Sequence, residues 1–375
     1  MMKQPQTHDV IVQVGDRWHW FTRPVEVVIA TRPEAVLPAL RHIETAVNRD
    51  GVVAAGFLAY EAAAAFDLAV HPSTPDQVPF LWFGLYERAE IIPSLPAPPT
   101  TLPALCTWQP QLSAQKYHHA IAQIKEAIAG GYTYQANFTF PLQTTFSGSP
   151  WSLFLHLLPT QQACFASYVD TGRFVAASLS PELFFSLNGD ELCSRPMKGT
   201  AARSPNPAED RANREWLAQS EKNRAENVMI VDMIRNDMGR VCRTGSVAVP
   251  RLFEIETYPT LFQMTSTVTG RTTAPFTDIM TAMFPCASIT GAPKVRTMEI
   301  LAELEQRPRQ IYTGTIGFLA PGRRAQFNVA IRTLLFDRDT NTATYPVGSG
   351  IVWDSDPPAE YAECLLKARI LDGRY

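Results

Sequence analysis

Lys198 and four glutamates are the residues of this chain whose types and spacing could do covalent chemistry. Lys198 stands in the run Arg195-Pro196-Met197-Lys198-Gly199-Thr200, sixteen residues after Glu182 of Ser180-Pro181-Glu182. A neutral lysine amine is a nucleophile, and a nearby carboxyl could carry the proton that a displacement needs to move. The competing reading is a turn lysine with its ammonium in water, because the run lies between apolar Leu183-Phe184-Phe185 and the polar, proline-rich Ser204-Pro205-Asn206-Pro207. Glu226 opens the largely apolar stretch Glu226-Asn227-Val228-Met229-Ile230-Val231, where a carboxylate must be solvated, paired with a neighbour such as Arg224, or bound to a cation. Near the C-terminus Glu360, Glu363 and Lys367 fall at i, i+3 and i+7 of a helix and share one face, which is equally the pattern of a solvated surface pair. If Glu226 and Glu363 converge, carboxylates from separate helices together with waters suit Mg²⁺, a hard ion that keeps several waters.

Three further segments could hold an anionic ligand. Val347-Gly348-Ser349-Gly350-Ile351 is a close-approach segment just before that helix, and its glycines let a ligand touch backbone. Ser288-Ile289-Thr290-Gly291-Ala292-Pro293-Lys294 feeds a helix N-terminus, where free N–H groups favour an anion; it also reads as an ordinary turn into a helix. Arg332 sits inside the apolar run Val329-Ala330-Ile331-Arg332-Thr333-Leu334, either facing solvent on an alternating strand or buried with a carboxylate or phosphate partner.

Composition narrows what these residues can be doing. The chain has 375 residues, 46% hydrophobic and 18% charged, with a formal net charge of −3, and no basic run marks a nucleic-acid surface. The most apolar stretch, 51–66, is interrupted by Glu61, and Met1 to Val14 lacks a signal-peptide core, so no membrane association and a cytoplasmic location are expected. Six scattered cysteines show no C-x-x-C and no zinc spacing, as in a reducing compartment. No histidine follows His156. Proton transfer near Lys198 therefore falls to Glu, Asp, Lys, Tyr or water rather than to a histidine triad.

The elements that must position these residues are legible in outline. Strand-like runs at Val10-Ile11-Val12-Gln13-Val14 and Val25-Glu26-Val27-Val28-Ile29, with a helical stretch from about Glu34 to Val47, form a short N-terminal α/β segment. It ends in the proline-rich stretch Pro93 to Pro103, which places a division into residues 1–105 and a catalytic region 106–375. Tyr117, Ile121, Ile124 and Ile128 mark a helical face closed by Gly130-Gly131, and Tyr134 to Phe140 reads as a strand. Short strands around 165–169, 173–178, 183–187 and 191–194 follow, then a helical block from about Asp210 to Gly239. A helix is expected to begin at Pro293, with strands near 311–319, 326–336 and 344–352 and a last helix from about Pro358 to Leu371. The pattern predicts an α+β fold with antiparallel sheet in the middle and helices outside.

Taken in order, Ser180-Pro181-Glu182, Pro196-Met197-Lys198-Gly199-Thr200, Asn223 to Asp232, Arg235-Asn236-Asp237-Met238-Gly239-Arg240, Ser288 to Lys294, Ile331-Arg332-Thr333 and Glu360-x-x-Glu363-x-x-x-Lys367 resemble the chorismate-utilising enzymes over roughly residues 112–373. The resemblance implies that family's fold, a sandwich of antiparallel sheets with helices on the outside. The Pro-x-Lys-Gly-Thr form resembles the branch that aminates chorismate to 4-amino-4-deoxychorismate, the precursor of 4-aminobenzoate and folate. The anthranilate-forming branch typically has alanine where Lys198 stands, and isochorismate and salicylate synthases typically have lysine where this chain has Gln135.

The resemblance further implies roles: Lys198 as nucleophile at C2 of chorismate, Glu182 as general acid and base, and Glu226 and Glu363 as Mg²⁺ ligands with Glu360 helping through water. Arg332, Tyr312, Lys367, Thr290, Gly291 and the backbone at Gly199, Thr200, Gly348 and Gly350 would grip substrate. A glutamine amidotransferase subunit would supply ammonia, and an aminodeoxychorismate lyase would act on the product. One position departs from the pattern: Gln263, in Gln263-Met264-Thr265-Ser266-Thr267, replaces the histidine that many members carry.

Overall fold

A computed structural model describes residues 4–72, 77–98, 107–161, 164–258 and 261–372. Cys106 and part of the proline-rich stretch lie outside the described residues.

Two ten-stranded sheets form the centre. Sheet I runs Gly291–Ala292, Gln135–Thr145, Thr342–Ile351, Thr333–Asp337, Phe174–Ser178, Ser167–Asp170, Val10–Val14, Arg17–Phe21 and Ala89–Ile92. Sheet II runs Met197–Ala202, Leu261–Arg271, Glu191–Arg195, Leu183–Asn188, Arg324–Asn328, Thr315–Ala320, Val53–Leu58, Leu81–Tyr86 and Glu26–Ala30. The short strands Gln109–Pro110 and Ala248–Thr257 pair off these paths. All pairings are antiparallel, among them the ten-residue register that sets Thr342–Ile351 against residues 136–145. Strands from before residue 93 belong to both sheets together with strands from after residue 107, so the two sequence regions build one pair of sheets.

The helices are α1 (Pro33–Asp50), α2 (Ala114–Ala129), α3 (Pro150–Gln161), α4 (Pro207–Gln219), α5 (Glu221–Gly239), α6 (Phe276–Met283), α7 (Lys294–Leu304) and α8 (Pro357–Lys367). Alternation along the strands explains the layers. Val10, Val12, Phe21, Val169, Phe174 and Ala176 of sheet I meet Ala55, Phe57, Trp82, Ile316 and Phe318 of sheet II between the sheets. Phe138, Phe140, Leu334, Phe336 and Tyr345 face outward beneath α2, α3 and α8. Phe185, Leu187, Val268 and Phe327 lie beneath α1, α5 and α6. The expected α+β sandwich with helices outside is what the chain forms.

Four expectations are corrected. The strand expected over 326–336 is two strands in different sheets, Arg324–Asn328 in sheet II and Thr333–Asp337 in sheet I. Between them Arg332 adopts φ +50, an uncommon left-handed conformation in which the chain crosses from one sheet to the other. The single helical block expected over 210–239 is broken at Ser220, which ends α4 and caps α5 by accepting a hydrogen bond from the Asn223 N–H. The last helix stops at Lys367 and continues as a 3₁₀ turn, and the helix expected to start at Pro293 begins one residue later, with Pro293 as its N-cap.

Candidate active site

Lys198 lies on the edge strand of sheet II. That strand pairs with Leu261–Arg271 as Met197 opposite Thr265 and Thr200 opposite Gln263, so the register slips between them, at Lys198 and Gly199. Gly199 has φ +94, and a Cβ built on it would stand 3.0 Å from the Asn223 side chain of α5. Only glycine enters that conformation without strain, and an irregularity of this kind re-aims a neighbouring side chain. Lys198 as a whole residue is half-buried, yet its ammonium end is enclosed by protein. Desolvation holds its pKa below that of an ordinary lysine, helped by the charge of Lys367 and opposed by Glu226, Glu182 and Glu363.

Glu182 comes from the turn before strand Leu183–Asn188 and is 3% exposed. Its Oε1 is buried and has no hydrogen-bond partner among the described residues. Burial pushes its pKa up to about 7, against a hydrogen bond from Ser288, the charge of Lys198 and the Met197 N–H. Burial thus favours the uncharged form of both groups, a protonated Glu182 carboxyl and a neutral Lys198 amine, the combination required of an acid and nucleophile pair.

The carboxylates arrive on two helices. Burial raises the pKa of Glu226, and the charges of Glu360 and Glu363 raise it further, whereas Lys198 and Lys222 pull it down. Arg224, the alternative partner for Glu226, stacks on the Phe253 ring at 4.6 Å. Glu360 is held by Ser355, whose hydroxyl donates to its Oε1 at 2.7 Å, and Lys125 Nζ fixes the Ser355 carbonyl at 2.9 Å. Glu363 pairs with Lys367 at 2.8 Å, as a half-exposed i,i+4 pair would; Lys367 Nζ also donates to the Gly348 carbonyl at 2.9 Å, tying α8 to the glycine segment. Among the described residues no three His, Cys, Asp or Glu side chains gather at direct metal-ligand spacing. The donors are all carboxylate oxygens that repel one another across the site, which fits a hard cation bound partly through water.

Gly348 and Gly350 line the inner face of Thr342–Ile351. A Cβ on Gly348 would meet the Phe138 carbonyl at 2.7 Å; one on Gly350 would stand 2.5 Å from Gln135 Nε2 and 3.4 Å from Lys198 Nζ. Gln135 is 1% exposed, and its Oε1 lacks a partner among the described residues. Lys198 and Gln135, 63 residues apart in sequence, therefore border the same space.

The remaining expected residues are placed less centrally. Gly291 packs directly on the Gln135 backbone, and the Thr290 hydroxyl donates to the carbonyls of Cys286 and Ala287. Lys294 does not face a ligand at the α7 N-terminus: it is bonded to Asp237 at 2.6 Å and to the Met283 carbonyl. Arg332 donates to Gln161 Oε1 at 2.8 Å. Tyr312 is buried, its pKa raised by desolvation, and it borders a cavity of about 500 Å³ whose lining includes Thr139, Glu305 and Arg309 but not Lys198, Glu182 or Glu226.

This geometry has the motif order of the resemblance, and a direct comparison decides the family. The sequence model of the chorismate binding enzyme family matches residues 7–372. The chain belongs to that family. The match is wider than the 112–373 expected from motifs, because the N-terminal strands belong to both sheets without carrying a motif residue.

Aminodeoxychorismate synthase component 1 of Escherichia coli (strain K12) is 40% identical over 267 residues, covering 70% of this chain and 58% of that protein. The protein of the same name from Bacillus subtilis (strain 168) is 39% identical over 254 residues, 67% of this chain and 54% of its own length. The aligned region is thus under three-fifths of the length of these relatives. Anthranilate synthase component I from Streptococcus pneumoniae TIGR4 has the same fold, with a TM-score of 0.83 at 22% identity, covering 100% of this chain and 94% of that one. No helix among the described residues is long and apolar enough to cross a membrane.

Sequence reasoning missed one ionic cluster beside the site. Glu61 accepts from the backbone N–H groups of Arg309 and Gln310 at 2.6 and 3.0 Å, and Arg309 donates to both oxygens of Glu305. Arg309 also donates to the carbonyls of Asn137 and Ile289, while Glu305 accepts from the N–H and hydroxyl of Thr139. The cluster thereby clamps the strand that carries Gln135. Its one sequence signal was a lone Glu61 in an apolar run.

Proposed function

We propose that this chain is the chorismate-aminating subunit of an aminodeoxychorismate synthase. The observation that carries the reading is Lys198, desolvated and placed between buried Glu182 and the Gln135–Gly350 wall. The relatives bearing that name support the product, and their designation as component 1 supports a second component, read here as a glutamine amidotransferase that delivers ammonia.

In the proposed reaction the neutral Lys198 amine attacks C2 of chorismate, both conjugated ring double bonds shift, and the C4–oxygen bond breaks. Glu182 gives its proton to the departing hydroxyl, which leaves as water. Ammonia then attacks C4, both double bonds return to their original positions, and the C2–nitrogen bond breaks, which restores Lys198 and gives 4-amino-4-deoxychorismate. A proton lost by the incoming nitrogen returns to Glu182. Two allylic displacements replace one difficult direct substitution. Gln135 cannot deprotonate water as a lysine there could, which disfavours hydroxylation at C2.

Glu226 and Glu363, with Glu360 through water, would hold Mg²⁺, which would neutralise a substrate carboxylate. Lys367, Tyr312, Arg332 and the backbone at Gly199, Thr200, Thr290, Gly291, Gly348 and Gly350 are the proposed substrate contacts. Anthranilate formation is the alternative that shares the fold.

The deciding experiment incubates purified protein with chorismate, Mg²⁺ and ammonium, then adds an aminodeoxychorismate lyase. 4-Aminobenzoate that appears only with the lyase supports the proposal; anthranilate formed without it overturns the proposal. Mass spectrometry with chorismate and no ammonia should find an adduct on Lys198, and Lys198→Ala with undiminished turnover would sink the covalent route.

A further inference from the structure

Gln263 lies on strand Leu261–Arg271, directly opposite Thr200, and is 6% exposed. Its Nε2 donates to the Gly199 carbonyl at 2.8 Å, and its Oε1 accepts from the Thr200 hydroxyl at 3.2 Å. A carbonyl only accepts, so the amide nitrogen must face Gly199 and the amide oxygen is left for Thr200. Both ends of the side chain are thus bound to the two residues that follow Lys198.

These bonds fall where the sheet is least able to fix its own geometry. The register slips between Met197 and Thr200, and Gly199 sits at φ +94. Glycine in an edge strand is conformationally free, and nothing in a slipped ladder selects that φ value. The Asn223 side chain packs against Gly199 from the α5 side, and Gln263 bonds to it from the sheet side.

We propose that Gln263 is a positioning residue that locks Gly199 and Thr200 so that the irregular strand aims the Lys198 amine between Glu182 and Gln135. The inference rests on the reading of Lys198 as the nucleophile. Both the nitrogen and the oxygen of its amide are bonded to the lysine strand, so Gln263 acts through that strand and not on the leaving hydroxyl. The proton for that hydroxyl is then left to Glu182, whose Oε1 is buried and has no partner among the described residues.

The test compares wild type with Gln263→Leu, Gln263→Glu and Gln263→His. Glutamate keeps the shape but offers no donor to the Gly199 carbonyl, so it probes the lock with packing retained and serves if the leucine variant fails to fold. Two readouts are taken: kcat and KM for chorismate with ammonium and Mg²⁺, and the pH dependence of Lys198 acetylation by trace acetic anhydride, located by mass spectrometry.

Leucine and glutamate should each lower kcat by about 10- to 100-fold with a smaller change in KM, as expected for losing a buried, orienting hydrogen bond. Both should move the onset of Lys198 acetylation towards that of the exposed lysines. Histidine, which can still donate to Gly199, should recover most of both. Wild-type kcat and acetylation in folded Gln263→Glu would overturn the inference, and so would a lowered kcat with unchanged acetylation, which would place Gln263 on the substrate. Acetylation does not depend on turnover. If the wild type forms no 4-amino-4-deoxychorismate while the variants still alter Lys198 reactivity, the functional reading fails and the positioning role stands.

Discussion

Lys198 and Gln135 face each other across Gly350: a Cβ there would lie 3.4 Å from the amine and 2.5 Å from the Gln135 amide nitrogen. Both are ends of flexible side chains, so Gly350→Ala can be accommodated by moving Gln135. Gly348→Ala cannot be relieved that way, because its Cβ would meet the backbone carbonyl of Phe138 at 2.7 Å. Gly350→Ala should therefore melt within a few degrees of wild type yet lose about 100-fold or more in kcat/KM, in line with the penalty for a misplaced reacting group. Gly348→Ala should lower the melting temperature markedly. Equal melting temperatures for the two variants would contradict this account.

Glu182 should set an alkaline limb in the pH profile. In the proposed role of general acid it must be protonated, and burial pushes its pKa up to about 7, moderated by Ser288, Lys198 and the Met197 N–H; Cys286 also faces it as an uncharged thiol. kcat should fall as pH rises through 7. The linkage has the same sign: a carboxyl whose pKa rises from 4.5 unfolded to about 7 folded stabilises the protein fully below pH 4.5, and that contribution is lost between pH 4.5 and 7. Glu182→Gln should lower kcat by about 10²- to 10⁴-fold and make the decline of stability over that window shallower, with the remainder due to other buried carboxyls such as Glu61, which burial pushes up to about 8. A variant whose urea midpoint still declines across the window as in wild type would refute the assignment.

The difference between what could and could not be read from sequence is physical. Val10–Val14 and α1 show in local periodicity, because alternation and a 3.6-residue repeat report a buried face wherever the chain goes. The crossing at Arg332 does not show: residues 329–334 stay apolar on both sides of the break, since one sheet's core is exchanged for another's. The motif residues were legible because chemistry constrains side-chain type. The pairings that support them were not. Gln263, Asn223 and Ser288 act through pairings with residues 64, 24 and 106 positions away, and single-sequence spacing carries no trace of such contacts.

Removing divalent cations should stop turnover, and Mg²⁺ should restore it. Glu226 carries the sharpest expectation, because its carboxyl is half-buried and destabilised by Glu360 and Glu363, a repulsion that a bound cation would reverse. Glu226→Gln removes one of the three charges, so the half-saturating Mg²⁺ concentration should rise about tenfold or more. Glu363→Gln should do likewise while also freeing Lys367 from its 2.8 Å pair. Activity titrations against Mg²⁺ read both variants, and a Glu226→Gln curve that overlays wild type would remove Glu226 from the proposed metal site.

Arg309 is the cation on which the missed cluster depends. Its side chain is 2% exposed and that of Glu305 5%, while Glu61 is buried on the other side of the same residue. Arg309→Met leaves Glu305 buried without its counter-charge and strips donors from the carbonyls of Asn137 and Ile289. Breaking a buried pair in this way costs about 3–5 kcal/mol, which urea denaturation would detect. Arg309→Met combined with Glu305→Leu should be less unstable than Arg309→Met alone, because the stranded charge is gone; strict additivity would mean that the two side chains do not interact. Both variants should also lose kcat, since Asn137 lies two residues from Gln135 on the same strand and Ile289 is next to Thr290. A destabilised but fully active double variant would show that the clamp holds the fold without positioning the site.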